Sequence, residues 1–170
     1  MTTTTTSTSE TPASACGELD GWSSLHERAW LGMLQTHRQL TRQLDATLEA
    51  RHGLTLSGLE LLSRLATHEE RRAHLSTLAE QIGLSISGIS RLVDTLEHAG
   101  LVERQTCPDD GRATIAWLTE SGLRLVREAQ STHYARVRER FFDHVDDGEL
   151  RMLVDIFERF APEGHSACEA

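Results

Sequence analysis

Small polar residues followed by an arginine form one short cluster near the middle of the chain. Ser85, Ser87 and Ser90 carry short hydroxyl side chains, Gly88 carries none, and Arg91 follows at once. Small residues at an exposed helix start allow backbone N–H groups and hydroxyls to approach phosphates and base edges closely. An arginine can contact a phosphate or donate two hydrogen bonds to one guanine. These residue types are therefore suited to contact a nucleic acid.

The elements around this cluster predict a helix-turn-helix unit. A short helix is expected over residues 76–82, and Gly83 interrupts it. Ser85 is a favourable N-cap for a second helix that stops at Gly100. Two helices joined by a short glycine-containing turn form the unit whose second helix enters the major groove of DNA.

A hairpin is expected directly after this unit. Two strands, residues 101–106 and 113–118, flank the turn Pro108-Asp109-Asp110-Gly111. Such a hairpin would form a wing beside the second helix. Arg112 lies near its tip, where an arginine suits the narrow and electronegative minor groove.

A long amphipathic helix is expected over residues 19–52. It carries apolar or aromatic residues at steps of three and four, and Gly53 follows as a left-handed stop. The residues on this face are Trp30, Met33, Leu34, His37, Leu40, Leu44 and Leu48. A helix of about thirty residues is long for a compact monomer of this size, so a second subunit is a natural cover for its apolar face.

Three more helices and one loop are predicted in the rest of the chain. A helix begins at Ser57 and ends near His68, and the charged residues 68–72 are expected to form a loop. Thr119 caps a long helix up to about residue 144, and Asp146 with Glu149 forms a capping-box start for the last one. The fold class is mainly α with a small β-wing, in the order α-α-α-α-β-β-α-α.

Composition excludes several classes of protein. The 170 residues carry a net charge of −9 and contain no apolar run near the roughly 18 residues that a membrane span requires. The three cysteines are odd in number and far apart, which argues against a disulfide framework and for a reducing, cytoplasmic location. No secretory signal, nucleophile elbow or phosphate-binding glycine loop is visible, so we expect neither an exported protein nor an enzyme.

The residues of the central segment resemble the MarR family of bacterial winged helix-turn-helix regulators. The resemblance extends from about residue 31 to residue 160 and is most specific over residues 78–122. Its motifs are Leu78-Ala79, Gly83-Leu84-Ser85, Arg91-Leu92-Val93-Asp94-Thr95-Leu96-Glu97, Ala99-Gly100-Leu101-Val102, Pro108-Asp109-Asp110-Gly111-Arg112-Ala113 and Leu118-Thr119-Glu120-Ser121-Gly122.

The resemblance implies a homodimeric repressor that binds double-stranded DNA at a pseudo-palindromic operator. Ser87, Ser90 and Arg91 would face the major groove, together with Ser85 and Gly88 at the helix start. The wing would contribute two residues: Asp110, which would pair with a neighbouring arginine, and Arg112, which would enter the minor groove.

The resemblance also implies a division of the chain. The dimerisation helices would interleave with those of the second subunit. The expected segments are a disordered tail over residues 1–18, one domain over 19–161, and a flexible tail over 162–170. Within that domain, the winged helix-turn-helix covers about 55–118 and the dimerisation helices cover about 19–52 and 119–161. The first tail has seven threonines and three serines in residues 2–16 and almost nothing to bury.

Many members of this family release DNA when a small aromatic or phenolic acid binds between the dimer region and the winged domain. The candidate effector contacts are Trp30, His37, Arg38 and His133, and Arg42 could equally serve an anionic effector. The alternative, which we favour for His37 and His133, is an interior histidine bonded to backbone or placed at the dimer seam.

Two other modes of action stay open. Cys107 at the base of the wing could make the protein a thiol redox sensor, although a small residue filling a strand end is the simpler interpretation. A winged helix could also serve as a protein-interaction module without binding DNA. Zinc control is disfavoured because the nine histidines form no HxxxH pair and the chain has no CxxC, and no cofactor is expected.

The sequence departs from the family pattern in two respects. Position 86, often basic in such proteins, is Ile86. Residues 85–117 hold three arginines against five carboxylates, those of Asp94, Glu97, Glu103, Asp109 and Asp110. Because phosphate neutralisation dominates DNA affinity, we expect modest and strongly salt-dependent binding unless the fold segregates these charges. Arg64, Arg71 and Arg72 are expected to add positive charge from neighbouring elements.

Overall fold

The computed structural model describes residues 22–106 and 113–160 of the chain. Both expected tails lie outside the described residues, as does the expected wing tip, residues 107–112. The chain divides into two units, one ending at Gln39 and one beginning at Leu40, so the boundary falls inside the first helix.

The described residues form six α-helices and a small antiparallel sheet, which confirms the mainly helical fold class. In chain order the elements are α1 Ser24–His52, α2 Leu56–Thr67, β1 Arg72–His74, α3 Leu75–Ile82, α4 Ile86–His98, β2 Val102–Thr106, β3 Thr114–Leu118, α5 Glu120–Arg140 and α6 Asp147–Glu158. Short 3-10 turns cover Glu69–Arg71 and Phe142–His144. In this part of the chain no helix is both long enough and apolar enough to cross a membrane.

The prediction of a loop over residues 68–72 is wrong at its end, because Arg72 begins strand β1. This strand pairs with β3, with Ala73 opposite Ala116, and the sheet order is β1-β3-β2. The element order is therefore α-α-β-α-α-β-β-α-α. Only Ala73 of the three strand residues is buried. A three-residue strand with one small buried side chain gives no alternating pattern that could be recognised in the sequence.

The ends of two helices also differ from the prediction. Helix α1 begins at Ser24 rather than near residue 19, and the Ser23 hydroxyl accepts a hydrogen bond from the His26 N–H at 3.4 Å. Helix α5 ends at Arg140 rather than near residue 144, because Phe141 has φ −131° and ψ −64°, outside the helical region. The other predicted bounds agree with the structure to within about two residues.

Three predicted helix caps are confirmed. The hydroxyl of Ser85 accepts a hydrogen bond from the Gly88 N–H at 3.1 Å, and Thr119 caps α5 in the same way. Asp146 and Glu149 form a reciprocal capping box, with both hydrogen bonds at 2.9 Å. Each cap satisfies backbone N–H groups that the helix itself leaves unpaired and contributes about 1 kcal/mol.

A single apolar core holds the helix-turn-helix and the sheet together. It combines side chains from helices α2 to α5 with the sheet, and the end of α1 contributes Leu48. The largest fully buried side chains are Leu48, Leu54, Leu61, Leu62, Leu65, Leu78, Ile89, Val93, Val102 and Val126. Gly83 ends α3 at φ 72°, a left-handed conformation that glycine adopts without steric cost and that turns the chain into α4.

The first turn of α5 is pressed against the segment that joins α4 to β2. A Cβ atom on Gly122 would overlap the Leu101 carbonyl oxygen and lie 2.7 Å from Leu118 Cδ1. Thr119 donates its backbone N–H to the same carbonyl oxygen at 3.1 Å. A residue without a side chain is therefore required where α5 meets the hairpin base.

The substitution Gly122→Ala should lower the free energy of unfolding by about 1–3 kcal/mol, because the added methyl group meets backbone and cannot be accommodated by a rotamer change. Denaturant unfolding followed by circular dichroism measures this difference. Gly32→Ala is the matched control. Nothing lies within 4 Å of a Cβ at that helical position, so it should raise stability by about 0.5–1 kcal/mol. Equal effects of the two substitutions would contradict the close contact.

Candidate nucleic-acid interface

Helix α4 separates its apolar side from an outward polar side. Ile89, Val93 and Leu96 are buried in the core. Ser87 and Arg91, which lie one turn apart, are exposed on the opposite side. Two of the residues predicted to contact the major groove therefore share one accessible face.

Hydrogen bonds at the start of α4 already occupy part of the predicted cluster. Ser85 Oγ serves as the cap and lies 3.1 Å from Ser87 Oγ. Arg91 Nε donates to the Ser87 carbonyl oxygen at 3.2 Å, which places the guanidinium along its own helix. Within the described ranges Arg91 has no ion pair. Its charge is therefore not neutralised locally by a carboxylate there.

The remaining two residues of the cluster are half-buried. A Cβ on Gly88 would lie 3.2 Å from Ser85 Oγ, so the small residue keeps the cap hydrogen bond short. The Ser90 carbonyl oxygen accepts a hydrogen bond from Arg104 Nη2 at 2.5 Å. Gly88 thus leaves room for the cap at the helix start, whereas the backbone of Ser90 joins α4 to strand β2.

Arg104 on strand β2 binds two carboxylates of α4. Its Nη2 lies 2.6 Å from Asp94 Oδ1 and its Nε lies 3.5 Å from Glu97 Oε2. Its backbone N–H donates to Glu97 Oε1 at 3.1 Å, and its side chain is only 23% exposed. We call Arg104, Asp94 and Glu97 the clamp. It ties the hairpin base to α4 and pairs two of the five acidic residues of the segment with an arginine.

The sequence did not single out Arg104. It is separated from Asp94 and Glu97 by ten and seven residues and by a change from helix to strand. No helical or strand periodicity connects such positions. The alternation of β2 was the available signal, since an arginine on the less exposed side of a strand usually has a carboxylate partner.

The arginines expected to add positive charge are each close to a carboxylate. The ion pairs are Arg64 with Glu60 at 3.9 Å, Arg71 with Glu120 at 2.6 Å, and Arg72 with Glu70 at 2.5 Å. The Arg72 guanidinium also lies 4.7 Å from the centre of the Trp117 ring. These three arginines therefore supply less net charge than expected.

The hairpin strands are in register up to Thr106 opposite Thr114. Asp110 and Arg112, predicted to stabilise the wing and to enter the minor groove, lie outside the described residues. Cys107 lies outside them as well. The roles of these three residues stay predictions.

The candidate effector residues are distributed over both units. Trp30 is 49% exposed, and His37 and Arg38 are exposed on the part of α1 that precedes Leu40. His133 on α5 belongs to the second unit and is half-buried. His37 is therefore not in the interior of the single chain, and its placement at the dimer seam stays a prediction.

His133 differs from an ordinary interior histidine as well. Its Nδ1 is buried and has no hydrogen-bond partner, so the expected backbone hydrogen bond at this atom is absent. Its ring lies beside that of Tyr134, with centroids 5.7 Å apart. Burial lowers the pKa of His133 below 6.5, because the charged imidazolium loses hydration.

A metal site is not assembled in the described part of the chain. No group of three or more histidine, cysteine, aspartate or glutamate side chains converges there.

The helix-turn-helix of α3 and α4, followed by a β-hairpin, defines a winged helix-turn-helix protein. A sequence profile of the MarR family matches residues 54–114. The chain is 28% identical over 120 residues to the HTH-type transcriptional regulator YdgJ of Bacillus subtilis, covering 71% of each chain.

Solved structures extend the match over nearly the whole described fold. AbsC, a MarR family transcriptional regulator from Streptomyces coelicolor, is 33% identical with a TM-score of 0.76, over 82% of this chain and 93% of AbsC. Sco3205 from the same organism is a MarR family transcriptional regulator solved in complex with DNA. It is 26% identical with a TM-score of 0.78, over 86% of this chain and 95% of Sco3205. The chain therefore belongs to the MarR family of transcriptional regulators, as its sequence motifs predicted.

The clamp makes a prediction about stability. Arg104→Gln should lower the free energy of unfolding by about 1–2 kcal/mol, because it removes charged hydrogen bonds that are only partly screened by solvent. Thermal or denaturant unfolding measures the change. Arg136→Gln is the control, since its 2.6 Å contact with Glu139 joins two residues only three positions apart on one helix, with side chains 33% and 51% exposed. Such a local pair contributes no more than about 0.5 kcal/mol. Equal losses of stability in both variants would show that the clamp stabilises the fold no more than a local ion pair on one helix does.

The buried imidazole predicts a pH dependence. The unfolded chain protonates His133 near pH 6.5, whereas the folded protein does so only at lower pH. The unfolded state therefore binds more protons as the pH falls below 6.5, and stability decreases in that direction. His133→Gln should reduce this decrease between pH 7.5 and 5, as measured by urea unfolding at each pH. A profile identical to that of the wild type would contradict the assignment.

Proposed function

We propose that this protein is a homodimeric repressor that binds a pseudo-palindromic operator through α4 and the wing. The observation that carries the proposal is the outward face of α4. Ser87 and Arg91 are exposed there, while the clamp pairs Asp94 and Glu97 with Arg104 on the neighbouring strand. The fold is also similar to that of Sco3205, which was solved with DNA bound.

The contacts follow from the chemistry of each side chain. Arg91 would neutralise a phosphate or donate to the O6 and N7 atoms of a guanine, and Ser87 and Ser90 would hydrogen-bond base edges or phosphates. Asp110 would orient the wing, and Arg112 would enter the minor groove. Phosphate contacts would set affinity, whereas the base contacts of α4 would set sequence preference.

The last helix supports the dimer. None of the residues of α6 is buried within the chain. Four of its large apolar side chains are exposed by 43–59%, namely those of Met152, Val154, Ile156 and Phe157. An apolar helix face of this kind marks an interaction surface. A symmetric dimer would cover it, together with the interleaved helices predicted for residues 19–52 and 119–161. This dimer would place the two copies of α4, as recognition helices, about 34 Å apart, which is one turn of DNA.

An effector would act by preferring a different spacing of the two recognition helices. A ligand shifts an equilibrium only by its difference in affinity for the two states, so release of DNA requires tighter binding to the non-binding state. We propose a small aromatic or phenolic acid, with Trp30, His37, Arg38 and His133 as candidate contacts. The unpaired Nδ1 of His133 supports this proposal, because a bound hydroxyl or carboxyl group would supply its missing hydrogen bond.

The DNA-binding assignment predicts two different kinds of mutant. Arg112→Ala should weaken binding to specific and random duplexes alike and reduce the slope of log K against log salt by about one. Ser87→Ala should instead change the preference among sequences with little change in the salt slope. Fluorescence anisotropy with labelled duplexes at several salt concentrations distinguishes the two effects.

The control for these variants is Arg138→Ala, which removes the same charge from an exposed position of α5. It should leave affinity within about twofold of the wild type, because exposed charges farther away than a Debye length of about 10 Å are screened. Unchanged binding in Arg112→Ala would contradict the wing assignment. The absence of any salt-sensitive DNA binding in the wild type would favour an interaction module instead.

A further inference from the structure

The first residue of the recognition helix is a large apolar side chain that the core does not cover. Ile86 is 58% exposed. It lies one turn before Ile89 on the stripe that continues through Val93 and Leu96, and all three of those residues are buried. The stripe therefore extends past the edge of the core, at the end of α4 that a helix-turn-helix presents to DNA.

The residues next to Ile86 in the chain are polar. Ser85 and Ser87 on either side are engaged with each other and with the cap, their hydroxyl oxygens 3.1 Å apart. Leu84 lies against the helix start, with its Cβ 3.7 Å from the position of a Cβ on Gly88. Ile86 is therefore an exposed apolar side chain between two polar neighbours.

An isoleucine cannot neutralise a phosphate and cannot donate or accept a hydrogen bond at a base edge. The edges of base pairs in the major groove offer one apolar group, the C5-methyl of thymine. Burying a methyl against an aliphatic side chain is favourable because it removes apolar surface from water. The chemistry of position 86 therefore matches one base among four.

We infer that Ile86 contacts the C5-methyl group of a thymine in each half-site and so determines sequence preference at that position. The inference rests on the proposed DNA-binding function and identifies one base that the protein would recognise in its operator. Removing one thymine methyl should weaken binding by about fourfold, the value for one buried methylene-sized group. Removing the symmetry-related methyl as well should weaken it by about fifteenfold, if the two half-sites contribute independently.

The test begins with duplexes selected from a random pool by the full-length wild-type protein. In a selected duplex each thymine is replaced in turn by deoxyuridine, which lacks only the methyl group and keeps every hydrogen-bonding atom. Dissociation constants are measured by anisotropy for the wild type, Ile86→Ala and Ile86→Val. Because Ile86 is not among the buried core residues, these substitutions should leave the core intact, and unfolding curves verify that the variants are folded.

The expected result is a thymine at one position, and at its symmetry mate, where deoxyuridine weakens wild-type binding about fourfold. Ile86→Ala should bind the two duplexes equally well, whereas Ile86→Val, which keeps a branched apolar group, should retain part of the discrimination. An effect of deoxyuridine on DNA stiffness alone would persist in Ile86→Ala and would overturn the inference.

The outcomes separate this inference from the function on which it rests. A wild type that selects a sequence but discriminates no thymine from deoxyuridine would overturn the role of Ile86 and leave DNA recognition intact. A wild type that selects no sequence at all would contradict both.

Discussion

The ion pairs of Arg104 join helix α4 to the base of the hairpin, the two parts of the fold that we propose to contact DNA. The guanidinium contacts Asp94 and donates to the carbonyl oxygen of Ser90, both on α4, while its own residue belongs to β2. Glu97 completes the clamp by accepting the Arg104 N–H. Helix α4 and the base of the hairpin are thereby held together by directional bonds as well as by the core. A side chain that is 23% exposed is screened less than a surface pair.

The same interaction influences the charge of the α4 face that we propose to contact DNA. The net charge of −9 describes the whole chain, but charges beyond about 10 Å are largely screened at moderate salt. Phosphate contacts depend instead on the charged side chains close to the contact. Asp94 and Glu97 are drawn to Arg104, and Arg91 has no carboxylate partner among the described residues. The clamp as a whole keeps one net negative charge, and Arg91 is the positive charge of α4 that no described carboxylate neutralises.

Local chemistry accounts for what the sequence could predict. The caps at Ser85, Thr119 and Asp146, the helix end at Gly83 and the paired strands each depend on residues within a few positions of one another. All of these were recognisable in the sequence, and they were sufficient to place Ser87 and Arg91 on an outward helix face. The family motifs then extended the assignment to the whole winged domain.

The features that were missed are nonlocal. Strand β1 exists because Ala73 meets Ala116 across the sheet, more than forty residues away. The clamp joins a helix to a strand, and the unpaired Nδ1 of His133 depends on which elements cover it. Exposure of Ile86 likewise follows from where the core ends rather than from its apolar type. Burial and charge pairing between distant segments are decided by tertiary packing, which periodicity in one segment does not encode.

The central claim is that this acidic chain binds a specific DNA sequence through the face of α4 and the wing. The most direct measurement is the anisotropy of a labelled duplex from the region beside its own gene, at two salt concentrations, with unlabelled random duplex as competitor. The account predicts binding that resists the competitor and weakens steeply as salt increases. Binding no tighter than that of random DNA at low salt, for this duplex and for any selected one, would contradict it.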